Sequence, residues 1–128
     1  MTLAEEGFEG SELFDLMKEI VDSDEELKKK SLKTVNAIVL LTLKNKQGKT
    51  KSWIMDFKKD GTVAKVDGSA PKTDISLAMA DKDFIKLVNN KANAQRLYMN
   101  GKLKVKGNLM KAASIETFLK KVDPRAKL

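Results

Sequence analysis

The chain has 128 residues, one ordinary domain, long enough to bury about two-thirds of its unfolded surface without covalent staples. It contains no cysteine and no histidine, which excludes disulfides, cysteine metal sites and Ser–His or Cys–His nucleophile pairs, and fits a reducing compartment. The net charge of +7 is uneven: residues 1–27 carry ten acids and one base, for −9, and residues 28–128 carry 24 bases and eight acids, for +16.

Ser11 is placed to cap a first helix over 12–21, whose apolar face is Leu13, Leu16, Met17 and Ile20 at i, i+3, i+4, i+7. Ser23 and Glu26 form an S-x-x-E capping box for a second, mostly polar helix to Lys33, anchored by Leu27 and Leu32. Residues 36–43 are leucine-rich and β-branched, and predict a strand buried on both faces. Lys44–Lys49 is a polar turn broken by Gly48. In the second strand, 51–58, Trp53, Met55 and Phe57 alternate with Ser52, Ile54 and Asp56. Asp60–Gly61 turns the chain into a third strand over 62–66, and a loop over 67–71 leads to a fourth over 74–79.

Asp81 is expected to cap a helix anchored by Phe84, Leu87 and Val88. After a polar break at 89–93, one helical turn carries Leu97, Tyr98 and Met99 and stops at Gly101, a C′ glycine. In the fifth strand, Leu103 and Val105 alternate with Lys102, Lys104 and Lys106. Gly107 and Asn108 open the last helix, with Ile115, Phe118, Leu119 and Val122 on its apolar face and Pro124 at its end. The order ααββββααβα predicts an α+β fold: a five-stranded, mostly antiparallel sheet covered by about five helices.

No apolar run approaches the roughly 20 residues that cross a bilayer, and the acidic N-terminus is neither a secretory signal nor a mitochondrial presequence. Catalysis finds little support. The aspartates at 56, 60, 67, 74, 81 and 83 fall at strand edges, turns and helix starts, where each has a structural role. No phosphate-binding glycine loop is present, and no cofactor is implied. The expectation is a protein that is not an enzyme.

Two features admit both a plain and a functional reading. Six methionines, most on apolar faces, either fill gaps in a core or adapt a cavity to varied greasy ligands. Lys102, Lys104 and Lys106 either protect an edge strand from aggregation or form a cationic rim at a ligand mouth or membrane-docking face. Nucleic acid is disfavoured, because the few aromatics belong to apolar faces and leave no stacking platform. The C-terminal Ala126–Lys127–Leu128 is close to the S-K-L peroxisomal address, with alanine at its first position. The expected organisation is one domain over 1–125 and a targeting tripeptide at 126–128, read by the peroxisomal import receptor.

The stretch A-Q-R-L-Y-M-N-G-K-L-K-V-K-G-N at 94–108 resembles the sterol carrier protein type 2 domain, also called the non-specific lipid-transfer protein. Its G-K-L-K-V-K-G-N core, followed by a helix with Ala112 and Ala113, and the upstream W-I-M-D-F at 53–57 carry the likeness, which extends from Phe8 to Val122. The chain looks most like the short stand-alone fungal peroxisomal members. The resemblance implies an apolar tunnel between sheet and helices that takes fatty acids, fatty acyl-CoA, phospholipids or sterols with low selectivity, in support of peroxisomal β-oxidation. It implies no catalytic residue. It places the family's glutamine on Gln95, as a hydrogen-bond donor to a ligand oxygen. The cavity candidates are Leu16, Met17, Ile20, Ile38, Leu40, Trp53, Met55, Phe84, Leu87, Met99, Leu103, Val105, Ile115, Phe118 and Leu119. The expected partners are a long-chain fatty acid or acyl-CoA and, transiently, an anionic membrane surface, and the expected location is the peroxisomal matrix. The chain is expected to be a monomer, and the second reading is a chaperone-like partner of peroxisomal enzymes.

Overall fold

Alternating apolar residues generate five strands in the computed structural model, which describes residues 3–66 and 72–121. They are β1 (Ile38–Lys44), β2 (Thr50–Asp56), β3 (Thr62–Lys65), β4 (Ile75–Ala80) and β5 (Lys104–Gly107), in the order β3-β2-β1-β4-β5. Three pairings are antiparallel; β1 and β4 run parallel. The α+β expectation of a mostly antiparallel five-stranded sheet with five helices is met. The helices are α1 (Glu12–Ser23), α2 (Glu25–Thr34), α3 (Asp81–Val88), α4 (Ala94–Met99) and α5 (Leu109–Lys121), and a 3-10 turn at Glu9–Ser11 precedes α1. Helix α1 packs over β3, α3 over β1 and β4, and α5 over β5, so the helices form a layer across one face.

The pairing register shows which residues share that face. Val39, Leu41 and Leu43 of β1 lie opposite Met55, Trp53 and Lys51 of β2, and opposite Ile75, Leu77 and Met79 of β4. All but Lys51 are buried beneath the helices. Ile38, Leu40 and Thr42 alternate with them and are only half-buried, as are their neighbours Ile54, Ser52, Ser76 and Ala78. The expectation that β1 is buried on both faces is therefore corrected. A sheet covered on one side needs only every second residue apolar, and the Thr42–Ser52 hydroxyl pair, 2.7 Å apart, marks the more polar side.

Three caps also differ from expectation: Ser11 stands before α1 with a helical backbone and makes no side-chain capping hydrogen bond. Asp24, not Ser23, caps α2, its carboxylate accepting from the Leu27 N–H at 3.0 Å. Asp24 alone has the extended backbone that an N-cap needs, whereas Ser23 completes α1. Asp81 is the first residue of α3 rather than its cap, and its carboxylate accepts from Gly10 N–H at 2.9 Å.

The turn into β5 matches expectation. Gly101, at φ +75°, ends α4: its N–H donates to Tyr98 O and the Lys102 N–H to Leu97 O, which is the Schellman arrangement. At the far end of β5 the backbone of Gly107 passes so close to β4 that a Cβ there would sit 2.3 Å from Asp74 O, and its φ is +105°. Only glycine fits both conditions. The loop 67–71, Val122, Pro124 and the tripeptide at 126–128 lie outside the described residues.

Candidate lipid-binding interior

The space between sheet and helices is one continuous apolar cluster. At its centre Trp53 stacks on Phe14 at 4.5 Å between ring centroids, and Phe14 stacks in turn on Phe84 at 5.1 Å. This three-ring column joins β2 to α1 and α3. Towards α5, Phe57 meets Phe118 edge-on at 4.6 Å. Met17, Met55 and Met79 are interleaved among the rings and aliphatic side chains, and all three are buried.

Of the residues singled out from the sequence, the fold brings ten into this interior: Met17, Ile20, Trp53, Met55, Phe84, Leu87, Leu103, Ile115, Phe118 and Leu119. Leu16 and Val105 pack against it while half-buried. Four lie elsewhere. Ile38 and Leu40 are on the other face of the sheet, a consequence of its one-sided cover. Gln95 and Met99 are exposed on α4, because the buried Leu97 fixes that short helix's inner side. Lys102, Lys104 and Lys106 are exposed along β5.

Sequence reasoning missed Phe14, the middle ring of the column. Its spacing with Met17 and Val21, at i, i+3, i+7, was available, but it overlaps the equally regular stripe of Leu13, Leu16 and Ile20. The side chains that fix the choice are Trp53 and Phe84, which stack on the two sides of Phe14. Residues 3–11 cross the interior as a strap. The Trp53 Nε1–H donates to Leu3 O at 2.7 Å, and Phe8 meets the same indole edge-on at 6.0 Å. Ser11, fully buried, donates to Phe8 O at 2.5 Å and accepts from Glu5 N–H at 2.8 Å. Glu5 holds the strap to β2 and β3 through Lys51, at 3.6 Å, and Lys65. The hydrogen bond from Lys65 is the main reason its carboxyl sits below the ordinary glutamate value. Asp81 behaves in the opposite sense. Burial pushes its carboxyl up, against the lowering effect of the Gly10 and Glu9 N–H groups.

A surface cleft of about 680 Å³ lies beside the strap, between residues 4–12, the turn at 44–47 and the β4–α3 junction. None of the sequence-derived candidates lines it. Phe8 does, and the same ring touches Trp53, so Phe8 is a partition between cleft and interior. The charged part of the wall sets five acids, Glu5, Glu6, Glu9, Glu12 and Asp81, against three lysines, Lys44, Lys46 and Lys82.

This architecture coincides with a family match over residues 16–120, to the SCP-2 sterol transfer family. The chain belongs to that family of lipid-binding domains. Over all 128 residues, and the whole of the relative, it is 54% identical to the oleate-induced peroxisomal protein POX18 of Candida maltosa. It is 51% identical over 124 residues to the fatty acid-binding protein of Yarrowia lipolytica, covering 94% of this chain and 95% of that one. The solved structure of sterol carrier protein 2 from Yarrowia lipolytica, in its apo form, superposes with a TM-score of 0.87 at 47% identity, over 97% of this chain and 99% of that one. The family is therefore the one that the 94–108 segment resembles, and its short fungal members are similar to this chain from end to end.

Proposed function

We propose that this protein is a non-enzymatic carrier of long-chain fatty acids and their CoA esters, acting in the peroxisome in support of fatty-acid oxidation. The observation that carries the reading is the apolar interior, built from stacked rings and three flexible methionines and separated from a surface cleft by one side chain, Phe8. Methionine has three rotatable bonds and repacks at low cost, so such an interior can open along a chain without losing its walls. Each CH₂ moved from water into it is worth about 0.8 kcal/mol, and a long acyl chain supplies roughly 10 kcal/mol before immobilisation costs. Apolar walls scarcely separate chains that differ by one methylene, which makes low selectivity the physical expectation. The cleft lies in the size range of small-molecule sites, about 300–1,000 Å³.

Two relatives support the cargo and the compartment: one named a fatty acid-binding protein and one an oleate-induced peroxisomal protein, both similar over nearly the whole chain. The Ala126–Lys127–Leu128 ending is consistent with the same compartment. The test is titration of delipidated protein with a fluorescent long-chain fatty acid, following Trp53 emission, with unlabelled acyl-CoA as competitor. Saturable, one-to-one binding that the competitor displaces is expected. Absence of saturable binding would sink the carrier reading.

A further inference from the structure

The helix-covered face of β2 and β3 is apolar except at one corner. Lys51 stands two residues before Trp53 on β2, and Lys65 of β3 lies directly opposite Trp53 in the register, so both lysines share the face of the indole. Both are half-buried. One carboxylate answers them: Glu5 Oε1 lies 3.6 Å from Lys51 Nζ, and Glu5 Oε2 contacts Lys65 Nζ. That carboxylate comes from the strap, not from the sheet. Its backbone is held by Ser11, whose Oγ accepts from Glu5 N–H at 2.8 Å, and by the Phe8 N–H, which donates to Glu5 O at 3.1 Å. On either side of it in the chain, Leu3 and Phe8 are buried in the interior cluster, and both touch Trp53. The strap therefore sets a carboxylate on two ammonium groups with apolar groups seated behind it. A fatty acid offers the same chemistry.

We propose that Lys51 and Lys65 form the carboxylate subsite for a fatty acid, and that residues 3–8 occupy it as an internal stand-in which the ligand displaces. The proposal rests on the carrier reading and adds where the head group goes and what must move. The surface cleft suits an anionic head group poorly, since five acids line it against three lysines. At the sheet corner the balance is reversed, with two cations to one carboxylate. Packing alone does not call for lysine at these positions: Met55 and Val63, the next inward residues of the same strands, are buried apolar side chains. Because Glu5 is tethered, it competes at high effective concentration. An acyl chain overcomes it by burying more apolar surface than Leu3 and Phe8 give up. The strap thereby selects for chain length, because a short acid cannot bury enough to displace it.

The test compares dodecanoate with dodecanol, which share a chain and differ in head group, on the delipidated full chain. The wild-type protein should prefer the acid. Lys51→Met with Lys65→Met should weaken dodecanoate about tenfold and leave dodecanol as tight or tighter, while Lys51→Arg with Lys65→Arg keeps the preference. Glu5→Gln should strengthen dodecanoate several-fold and admit octanoate, which the wild-type protein binds weakly. It removes no lysine, so it keeps the test valid if the double methionine variant misfolds. Strap movement is read separately. The chain has one tryptophan and no cysteine, so energy transfer from Trp53 to an acceptor dye on Glu6→Cys reports a single distance. Transfer should fall as dodecanoate saturates the protein, and transfer to a dye on Lys29→Cys of α2 should not. Saturable binding with no loss of acid preference in the double methionine variant, a weaker dodecanoate affinity in Glu5→Gln, or unchanged transfer at position 6 would each overturn the proposal and leave the carrier reading standing. Binding of neither ligand by the wild-type protein would overturn both, so the two failures are distinguishable.

Discussion

The two flanks of the sheet handle polar groups in opposite ways. Over β3 and β2, the N-terminal strap and α1 commit theirs to internal contacts: Glu5 to Lys51 and Lys65, the Trp53 Nε1–H to Leu3 O, and Gly10 N–H to Asp81. At β5, three lysines stand free in the described structure, beside methionines that nothing covers there. Charge on the first flank closes the molecule over its interior. Charge on the second is left for encounter. A net charge of +7 describes neither flank, because the −9 of residues 1–27 and the +16 of the rest act in different places.

The comparison breaks most visibly at the aromatic column. Phe14→Ala removes the ring between Trp53 and Phe84, and should cost about 3–5 kcal/mol, read as a lower midpoint in chemical denaturation. If the loss is below about 1 kcal/mol, α1 is not anchored by that column. On the other flank, Gly107→Ala forces a Cβ against Asp74 O at a left-handed backbone angle, and should cost about 1–3 kcal/mol. Amide exchange should speed up in β5 before it does in β1.

Acid sharpens the contrast. The folded Glu5 carboxyl sits below the ordinary glutamate value, so its stabilisation is fully present above the ordinary range and is lost as pH falls through the lower, folded value. Trp53 emission should report release of the strap over that window, and Glu5→Gln should flatten the dependence at the same ionic strength. Asp81 works the other way: its raised carboxyl titrates above the ordinary aspartate range, and stability should decline slightly as pH rises through that value. The smallest effect is expected at the free edge, where Met110→Ser should change stability by less than about 0.5 kcal/mol in thermal melts.

Periodicity made the fold legible almost throughout, since a one-sided sheet and amphipathic helices leave regular spacing in the chain. Gly101 was readable as a stop signal because glycine takes the left-handed angle of a C′ residue at no steric cost. Local spacing was less able to show which of two overlapping stripes of α1 faces inward. That depends on Trp53 and Phe84, which stack on Phe14 from β2 and α3, far along the chain. For the same reason Asp81 read as a helix cap: its partner, Gly10, is 71 residues away. The interior's candidates were legible as apolar faces, but Ile38 and Leu40 show the limit. A leucine-rich strand does not say how many of its sides a helix will cover. The cleft was invisible because its walls come from three segments with no shared pattern.

The parallel pairing of β1 with β4 has a bearing on how the chain reaches this form. The β1–β2 and β2–β3 hairpins join neighbours in sequence, whereas β4 must return past both to reach the free side of β1. Loop-closure entropy delays such long-range pairings. We expect the three-stranded meander to form first, with β4 and β5 added late and the strap settling only once Trp53 has a wall to lie against. In refolding experiments, indole burial should therefore lag behind the first strand pairing, and substitutions in β4 should slow folding less than they speed unfolding.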